Sequence, residues 1–230
     1  LAIAHGFASL IVGSVAFVER SGFGVLQWVS LPGWADVVVG LLLLDLIGAY
    51  FIHWIEHKVR WMWKFHLIHH TDMEVDVTTG LRHHPGEAVF RSIFTVSAVL
   101  ISGASIGVVF LYQSLSALFA QITHANIASP SGLDRLISCV FVTPNMHKVH
   151  HHYAQPLTDT NYGNIFSIWD RLFGTFAGID RAGEIVYGID THMNPKEADN
   201  LMNLLAIPFQ EYRPPRGSKF FDDRQDPSGL

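Results

Sequence analysis

The sequence predicts an all-α integral membrane protein of about four transmembrane helices, with room for a re-entrant hairpin among them, under a histidine-rich cytosolic cap. Three observations carry that reading. Of 230 residues, 49% are hydrophobic and only 15% charged, with a mean hydropathy of +0.26, a balance that leans away from ordinary soluble composition. The apolar residues gather in three blocks, and most of the histidines lie in short polar windows beside those blocks. The alternative for the blocks is a soluble all-α core with long buried helices.

The first block, residues 1–18 (LAIAHGFASLIVGSVAFV), carries no formal charge. No basic run precedes it and no convincing small-residue cleavage site follows, so it is expected to be a membrane helix rather than a signal peptide. The second, residues 37–52, carries only Asp45 and reaches membrane length by borrowing neighbours such as Trp34 and Trp54. The third runs from Ser92 to Thr123, 32 residues without a charged side chain. As one straight helix it would be about 48 Å long against a hydrocarbon core of about 30 Å, so it is expected to cross twice. The break is predicted at Ser102-Gly103-Ala104-Ser105-Ile106-Gly107, where small residues let the chain turn and helices pack closely.

A single cysteine, Cys139, excludes an intrachain disulfide and a thiolate-rich metal site. A net charge of -5 and a pI near 6.3 offer no basic patch for nucleic acid.

Of 14 histidines, 11 fall in residues 53–84 and 147–152, and His124 closes the long apolar block. The groups are His53/His57, His66/His69/His70 and His147/His150/His151, all at i, i+3 or i+4 spacings. On a helix those offsets put imidazoles on one face, so one helix can offer two ligands to one ion or one ligand to each of two. Neutral imidazole suits Zn, Cu, Fe and Ni, and only two ions would use so many histidines. Nine residues are metal-ligand candidates: His53, His57, His66, His69, His70, His124, His147, His150 and His151. A lone histidine at any of these places would be an interface or surface residue; the repetition changes that reading.

Ligands of one site must share a side of the bilayer. If residues 37–52 deliver the chain to one face, the two crossings through 92–123 return it there, and all three histidine groups meet. The same face collects Lys58, Arg60, Lys64, Arg82, Arg91, Arg135, Lys148 and Arg171, whereas the loop from Glu19 to Gly33 has only Arg20. The positive-inside rule makes the histidine face cytoplasmic, on a bacterial inner membrane or an ER-type membrane. Asp45, deep in its apolar segment, is costly there unless it faces a polar cavity or pairs within the bundle. It is a substrate-tunnel candidate, with a packing contact to a serine or backbone group as the alternative.

These residues resemble the fatty acid hydroxylase superfamily, which includes the sterol desaturases, over roughly residues 35–180. The signature HxxxH, HxxHH, HxxHH is met by His53/His57, His66/His69/His70 and His147/His150/His151. Between them stand His84-Pro85-Gly86-Glu87, similar to the family's HPxE, and His124-Ala125-Asn126 at the end of the hairpin. After them come Asn161-Tyr162-Gly163 and Trp169-Asp170-Arg171-Leu172-Phe173-Gly174-Thr175-Phe176, similar to the NYG and WDRLFGTY segments, with Phe176 in place of the usual tyrosine.

The resemblance implies a membrane domain with a histidine-rich cap in which two Fe ions, with O2 as co-substrate, hydroxylate or desaturate a lipid (sterol, fatty acyl or ether lipid). It makes residues 1–34 an N-terminal membrane helix and loop, 35–180 the catalytic domain, and 181–230 a C-terminal cap segment and polar tail. Glu56, Asp72, Glu87 and Asp159 are expected to orient imidazoles. His83, His84 and His152 are further metal or supporting candidates, His84 also reading as a helix-start residue before Pro85. Trp169 and Asp170 are expected to dock the cap. Some relatives fuse a haem domain marked by HPGG; His84-Pro85-Gly86-Glu87 lacks the final glycine, so a separate donor is expected, a ferredoxin or haem protein with its reductase.

Two other classes fit parts of the sequence. His53-Trp54-Ile55-Glu56-His57 also matches the HxxEH of a single-zinc hydrolase, with Glu56 activating water, but that leaves the other groups unexplained. A metal transporter would place histidines along its helices rather than beside them. Towards the C-terminus, a short amphipathic helix is predicted around Lys196 to Leu205, lying on the membrane surface, His192 stands outside the clusters, and a polar tail begins at Arg213.

Overall fold

A computed structural model of the chain describes residues 2–181 and 185–217; among them the regular elements are helices, with two isolated β-bridges, Phe141 to Phe166 and His152 to Tyr187. Helix α1 spans Ala2–Ser21, α2 Gly33–Lys58, α3 Arg60–His70, α4 Pro85–Ser102, α5 Ile106–His124, α6 Ser131–Ile137 and α7 Pro144–His150. Three stretches, Gly6–Trp28, Gly33–Lys58 and Ile106–His124, are long and apolar enough to cross a membrane. Helix α4 is the fourth long helix and carries Glu87 and Arg91 in its first two turns.

The chain breaks where the small residues predict. Helix α4 ends at Ser102, Gly103 adopts φ 68, and α5 begins at Ile106. A left-handed residue after a helix favours glycine because a side chain there meets the backbone. A second constraint comes from Gly24 (φ 107), on which a Cβ would fall 2.5 Å from Gly103 Cα. Gln27 Nε2 also donates to Gly103 O at 2.8 Å. The α1–α2 connection and the α4–α5 turn are thus sewn together at the end of the bundle away from the histidines.

Helix α2 is not uniform. Leu46–Phe51 form a π-helical turn between α-helical Gly33–Asp45 and Ile52–Lys58. The wider turn re-phases the side chains that follow, so His53 and His57 do not continue the packing stripe of the membrane segment; such insertions often mark functional sites. Val59, extended at φ -117 and ψ 110, then redirects the chain straight into α3.

Two apolar clusters hold the molecule. One lies between α1, α2, α4 and α5 and includes Val15, Leu44, Ala98, Val99, Val108 and Tyr112; the other lies in the cap and joins Trp63, Leu67 and Ile68 of α3 to Ile189, Leu204 and Ile207. Outside the first cluster, Leu10, Phe17, Val38, Ile93, Phe110 and Leu118 are exposed. A belt of large apolar side chains around the long helices suits hydrocarbon and not water.

The C-terminal expectation needs one correction. The single helix predicted around Lys196 to Leu205 is two, Pro195–Ala198 and Leu201–Ala206. Asp199 ends the first and Asn200 caps the second, its side chain accepting from Asn203 N, as a short polar residue does at a helix start. Arg82 ties this segment to α3, donating to Ala198 O at 2.7 Å and to Ile68 O at 3.2 Å. Residues 218–230, most of the expected polar tail, lie outside the described residues.

Candidate metal centre

All nine candidate ligands come together, buried, at one end of the bundle, and divide into two groups. His53, His57, His66, His70 and His150 form one; His69, His124, His147 and His151 form the other, with the ligand atoms of each group within 4.8 Å of one another. The helix ends deliver them: α2 brings His53 and His57, α3 the three of its last turns, α5 ends at His124, and α7 ends at His150 with His151 next. Helix α7 starts where it does because Thr143 caps it, accepting from Met146 N at 3.2 Å, and Pro144 follows.

A hydrogen bond does not explain the approach of His124 to His69. His124 Nε2 lies 3.1 Å from His69 Nε2, 3.0 Å from His147 Nε2 and 3.2 Å from His151 Nε2. Its Nδ1 sits 2.6 Å from Ala120 O, and a carbonyl only accepts, so the proton is on Nδ1 and Nε2 presents a lone pair. His69 Nδ1 likewise faces Thr79 O at 3.0 Å, so the Nε2 lone pairs of His69 and His124 oppose each other at 3.1 Å and repel unless a cation lies between them. Donors about 2.0–2.1 Å from one ion and roughly at right angles stand about 3.0 Å apart, which the spacing matches. In the group of five, the Nε2 atoms of His53, His57 and His150 are buried without any partner, and unpaired buried polar atoms are costly. The donor set therefore fits metal ions.

Backbone carbonyls set the tautomers more than carboxylates do. His53 Nδ1 donates to Tyr162 O at 2.9 Å, His69 Nδ1 to Thr79 O at 3.0 Å, and His150 Nδ1 to Thr160 O at 2.6 Å. Such back-side bonds turn Nε2 towards the centre. Of the carboxylates expected in that role, Glu87 fills it for His66 at 2.9 Å, and Asp159 lies 3.9 Å from His57 Nδ1 while binding Lys58 and the Tyr162 hydroxyl. Asp72 is a correction: it accepts from Thr79 Oγ1 at 2.6 Å and makes no hydrogen bond to a histidine among the described residues. Sequence spacing reports side-chain pairs and has no signal for which carbonyl a loop will present.

Burial keeps these imidazoles neutral. It lowers His66 to about 4 against the raising effect of Glu87, and His150 to about 3. His69, His70, His147 and His151 are pushed well below the ordinary histidine value by burial first and neighbouring rings second. Neutral imidazole is the metal-binding form.

The remaining candidates take other places. His83 stacks on His69, centroids 4.6 Å apart, with Nδ1 3.0 Å from Glu87 Oε1, and groups with His66 and Glu87. His84 caps α4, its Nδ1 accepting from Gly86 N at 2.8 Å. His152 accepts from Ala154 N at 3.2 Å, and His192 is buried against Thr191 Oγ1 at 2.7 Å. Glu56 is held by Arg91 at 2.6 Å, and Arg91 also donates to Glu87 at 2.7 Å. A glutamate locked in that ion pair is badly placed to activate water, which counts against the HxxEH hydrolase. Sequence reasoning read Arg91 only as a topogenic charge; its position four after Glu87 was the available signal.

Asp45 takes the packing role rather than the tunnel wall. Its carboxylate accepts from Ile165 N at 3.3 Å, Phe166 N at 3.2 Å and Trp169 Nε1 at 3.0 Å. Asp170 accepts from Tyr162 N, Gly163 N and Thr175 Oγ1 at 2.7–2.9 Å, and burial raises it to about 6. Trp169 thus docks the cap on α2 through Asp45, whereas Asp170 braces the 162–175 segment from within the cap. Asn161, in a left-handed turn at φ 54, donates to Met146 O and Ala177 O, bracing α7.

A cavity of about 300 Å³ opens beneath the histidines. His53, His66, His69, His124 and His147 close one end; Gly48, Thr95, Gln113, Ser116 and Ala120 of the membrane helices line the rest.

An all-α membrane bundle that gathers nine buried imidazoles above a cavity defines a membrane protein with a histidine cluster able to bind metal. The chain belongs to the fatty acid hydroxylase family, whose sequence pattern matches residues 37–175. It is 29% identical over 198 residues to an ornithine lipid hydroxylase, OlsE, of Rhizobium tropici, covering 86% of this chain and 56% of that protein. It is 30% identical over 172 residues to the human (Homo sapiens) alkylglycerol monooxygenase, covering 75% of this chain and 36% of that protein. A methylsterol monooxygenase of Arabidopsis thaliana is 26% identical over 175 residues, 74% of this chain and 60% of its own. The chain thus spans between about a third and three fifths of these relatives. No solved structure matches it.

Proposed function

We propose that this chain is a membrane-bound non-haem diiron oxygenase that hydroxylates or desaturates a lipid, with residues 35–180 as its catalytic region. The observation that carries the reading is the pair of buried histidine groups, lone pairs converging, at the head of a cavity that runs between membrane helices. His53, His57, His66, His70 and His150 would hold one ion, and His69, His124, His147 and His151 the other. Relatives named for hydroxylation of ornithine lipid and oxygenation of alkylglycerol and methylsterol support a lipid substrate.

Iron, when bound, supplies the oxidising power that an unreactive C–H bond requires and that redox-silent zinc lacks. Hydroxylation balances as one O2, two electrons and two protons per C–H bond, giving an alcohol and one water. The electrons come from a separate donor, a ferredoxin or a haem protein with its reductase; turnover with reduced pyridine nucleotide alone would overturn that part. The protein's own contribution is placement. Carbonyls of Tyr162, Thr79, Thr160 and Ala120 fix imidazole orientation, Glu87 fixes His66, and the cavity holds the alkyl group against the centre away from water. A cytoplasmic face for the site is supported by the basic residues near the histidine groups.

The test is metal content and spectroscopy of protein purified anaerobically in detergent, beside the His150→Ala, His151→Ala double variant. About two irons per chain, lost in the variant, are expected for nitrogen-rich ligation of this kind. One zinc, retained in the variant, would overturn the reading.

A further inference from the structure

A second cavity, about 430 Å³, lies between α1 and the α4–α5 hairpin and is lined by Phe7, Ala8 and Ile11 on one side and by Ala88 and Ser92 on the other. It shares four residues with the cavity under the histidines: His83, Arg91, Thr95 and Gln113. These four form the junction between a cleft on the lipid-facing side of the bundle and the inner cavity.

Three of the four have their polar atoms engaged. His83 Nδ1 meets Glu87, Arg91 donates to Glu56 and Glu87, and Thr95 Oγ1 donates to Arg91 O at 2.8 Å. Gln113 has no hydrogen-bond partner among the described residues. A carboxamide on a membrane helix is costly when unpaired, since hydrocarbon offers it neither donor nor acceptor, and polar side chains at such depth mark a ligand path more often than packing.

We propose that Gln113 positions the substrate: its amide hydrogen-bonds an uncharged polar group of the lipid, an ester or amide carbonyl or a hydroxyl, at the junction of the two cavities, and so selects the carbon presented to the histidines. The proposal rests on the oxygenase reading for the word substrate, and on the geometry alone for the binding. Gln113 stands eleven residues before His124, about 16 Å along α5 from its histidine end, a depth to which an uncharged oxygen can be carried at far lower cost than a charged head group. From the junction the path to the centre runs past Thr95: a Cβ on Gly48 would lie 3.8 Å from Thr95 Cα, and Gly48 stands five residues, about 7.5 Å, before His53. An uncharged carboxamide matches a neutral oxygen better than a phosphate, which would call for Arg or Lys.

The experiment compares iron-loaded wild type with Gln113→Met, an apolar side chain of similar length, and Gln113→Asn, using a total polar lipid extract for turnover. Binding of an added monoacylglycerol to delipidated protein is measured separately. In Gln113→Met, iron content is expected to stay unchanged, KM to rise about tenfold with kcat within about twofold, as for loss of one hydrogen bond, and the hydroxyl to spread to neighbouring carbons. Monoacylglycerol affinity should fall by a similar factor, and Gln113→Asn should recover part of each change. Unaltered KM, product position and monoacylglycerol affinity in Gln113→Met would overturn the proposal, as would wild type that neither turns over nor binds the monoacylglycerol. Wild type that binds it in a Gln113-dependent way but yields no oxygenated lipid would uphold the binding role while the oxygenase reading fails.

Discussion

In the group of five histidines, His66 and His70 come from α3 and His150 from α7; in the group of four the allocation reverses, His147 and His151 coming from α7 and His69 from α3. Each HxxHH therefore gives its first and last histidine to one group and its middle one to the other. The helix explains this: residues i and i+4 lie about 40° apart around the axis, while i+3 leans about 60° to the other side. The supports differ as well. Each group has two rings held by backbone carbonyls, His53 and His150 in the five and His69 and His124 in the four, but the group of five is also bordered by Glu56, Glu87 and Arg91. Two sites with shared helices can thus be addressed separately, because a carboxylate supports the group of five in addition to the backbone carbonyls that support both.

The largest effect should come from emptying one group. His147→Ala with His151→Ala removes half of the four, and His53→Ala with His57→Ala removes two of the five; each should leave roughly one iron per chain and lower oxygenation by at least about 100-fold. Metal analysis of the two variants side by side decides whether the groups are separate: if both lose all iron, they are one cooperative site and the comparison breaks.

Glu87→Gln comes next. It should weaken iron binding about 10–100-fold at the group of five through His66, leaving the other group loaded, which a chelator competition would read as two phases where wild type shows closer-matched ones. A uniform loss would mean that the ion pair with Arg91 holds the bundle rather than the ligand.

Asp45→Asn tests the docking that both groups depend on. Its amide would turn a donor towards the backbone N–H groups of Ile165 and Phe166 or the Trp169 indole, at a cost of about 1–3 kcal/mol. Thermal unfolding in detergent should drop by several degrees with the ligand spectrum preserved; an unchanged midpoint would return Asp45 to the tunnel.

The smallest effect concerns His192, outside both groups. Burial lowers it to about 4 from the ordinary 6.5, so the unfolded segment binds a proton first. Its contribution is fully present above about pH 6.5 and is lost as pH falls from there towards 4. Hydrogen-exchange protection around Asp190–His192, taken relative to the intrinsic exchange rate at each pH, should fall over that window and not above it, and His192→Gln should flatten the dependence; equal protection at pH 7 and pH 5 would contradict the burial.

Much of the centre was legible because its signals are local. Helical spacing put His66, His69 and His70 on one face before any fold was known, and the uncharged run from Ser92 to Thr123 with Gly103 inside it implied a hairpin returning to the same side. The parts that were not legible depend on backbone placed by distant segments. Asn200 divides the C-terminal helix, the carbonyls of Thr79, Tyr162 and Thr160 aim the imidazoles, and Asp45 meets residues more than a hundred positions later.

By itself the sequence determined the membrane class, the hairpin and the identity of the nine histidines, since hydropathy and helical period act over a few turns of chain and survive whatever the fold does around them. Only the tertiary structure decided how the nine divide, how the rings are turned and where cavities open beside them. Those depend on the π-helical turn at Leu46–Phe51, on loops that present carbonyls, and on the space left between α1, α4 and α5. A carbonyl direction or a void has no residue type to announce it, because every residue has a carbonyl and a void is made by whatever happens to pack around it.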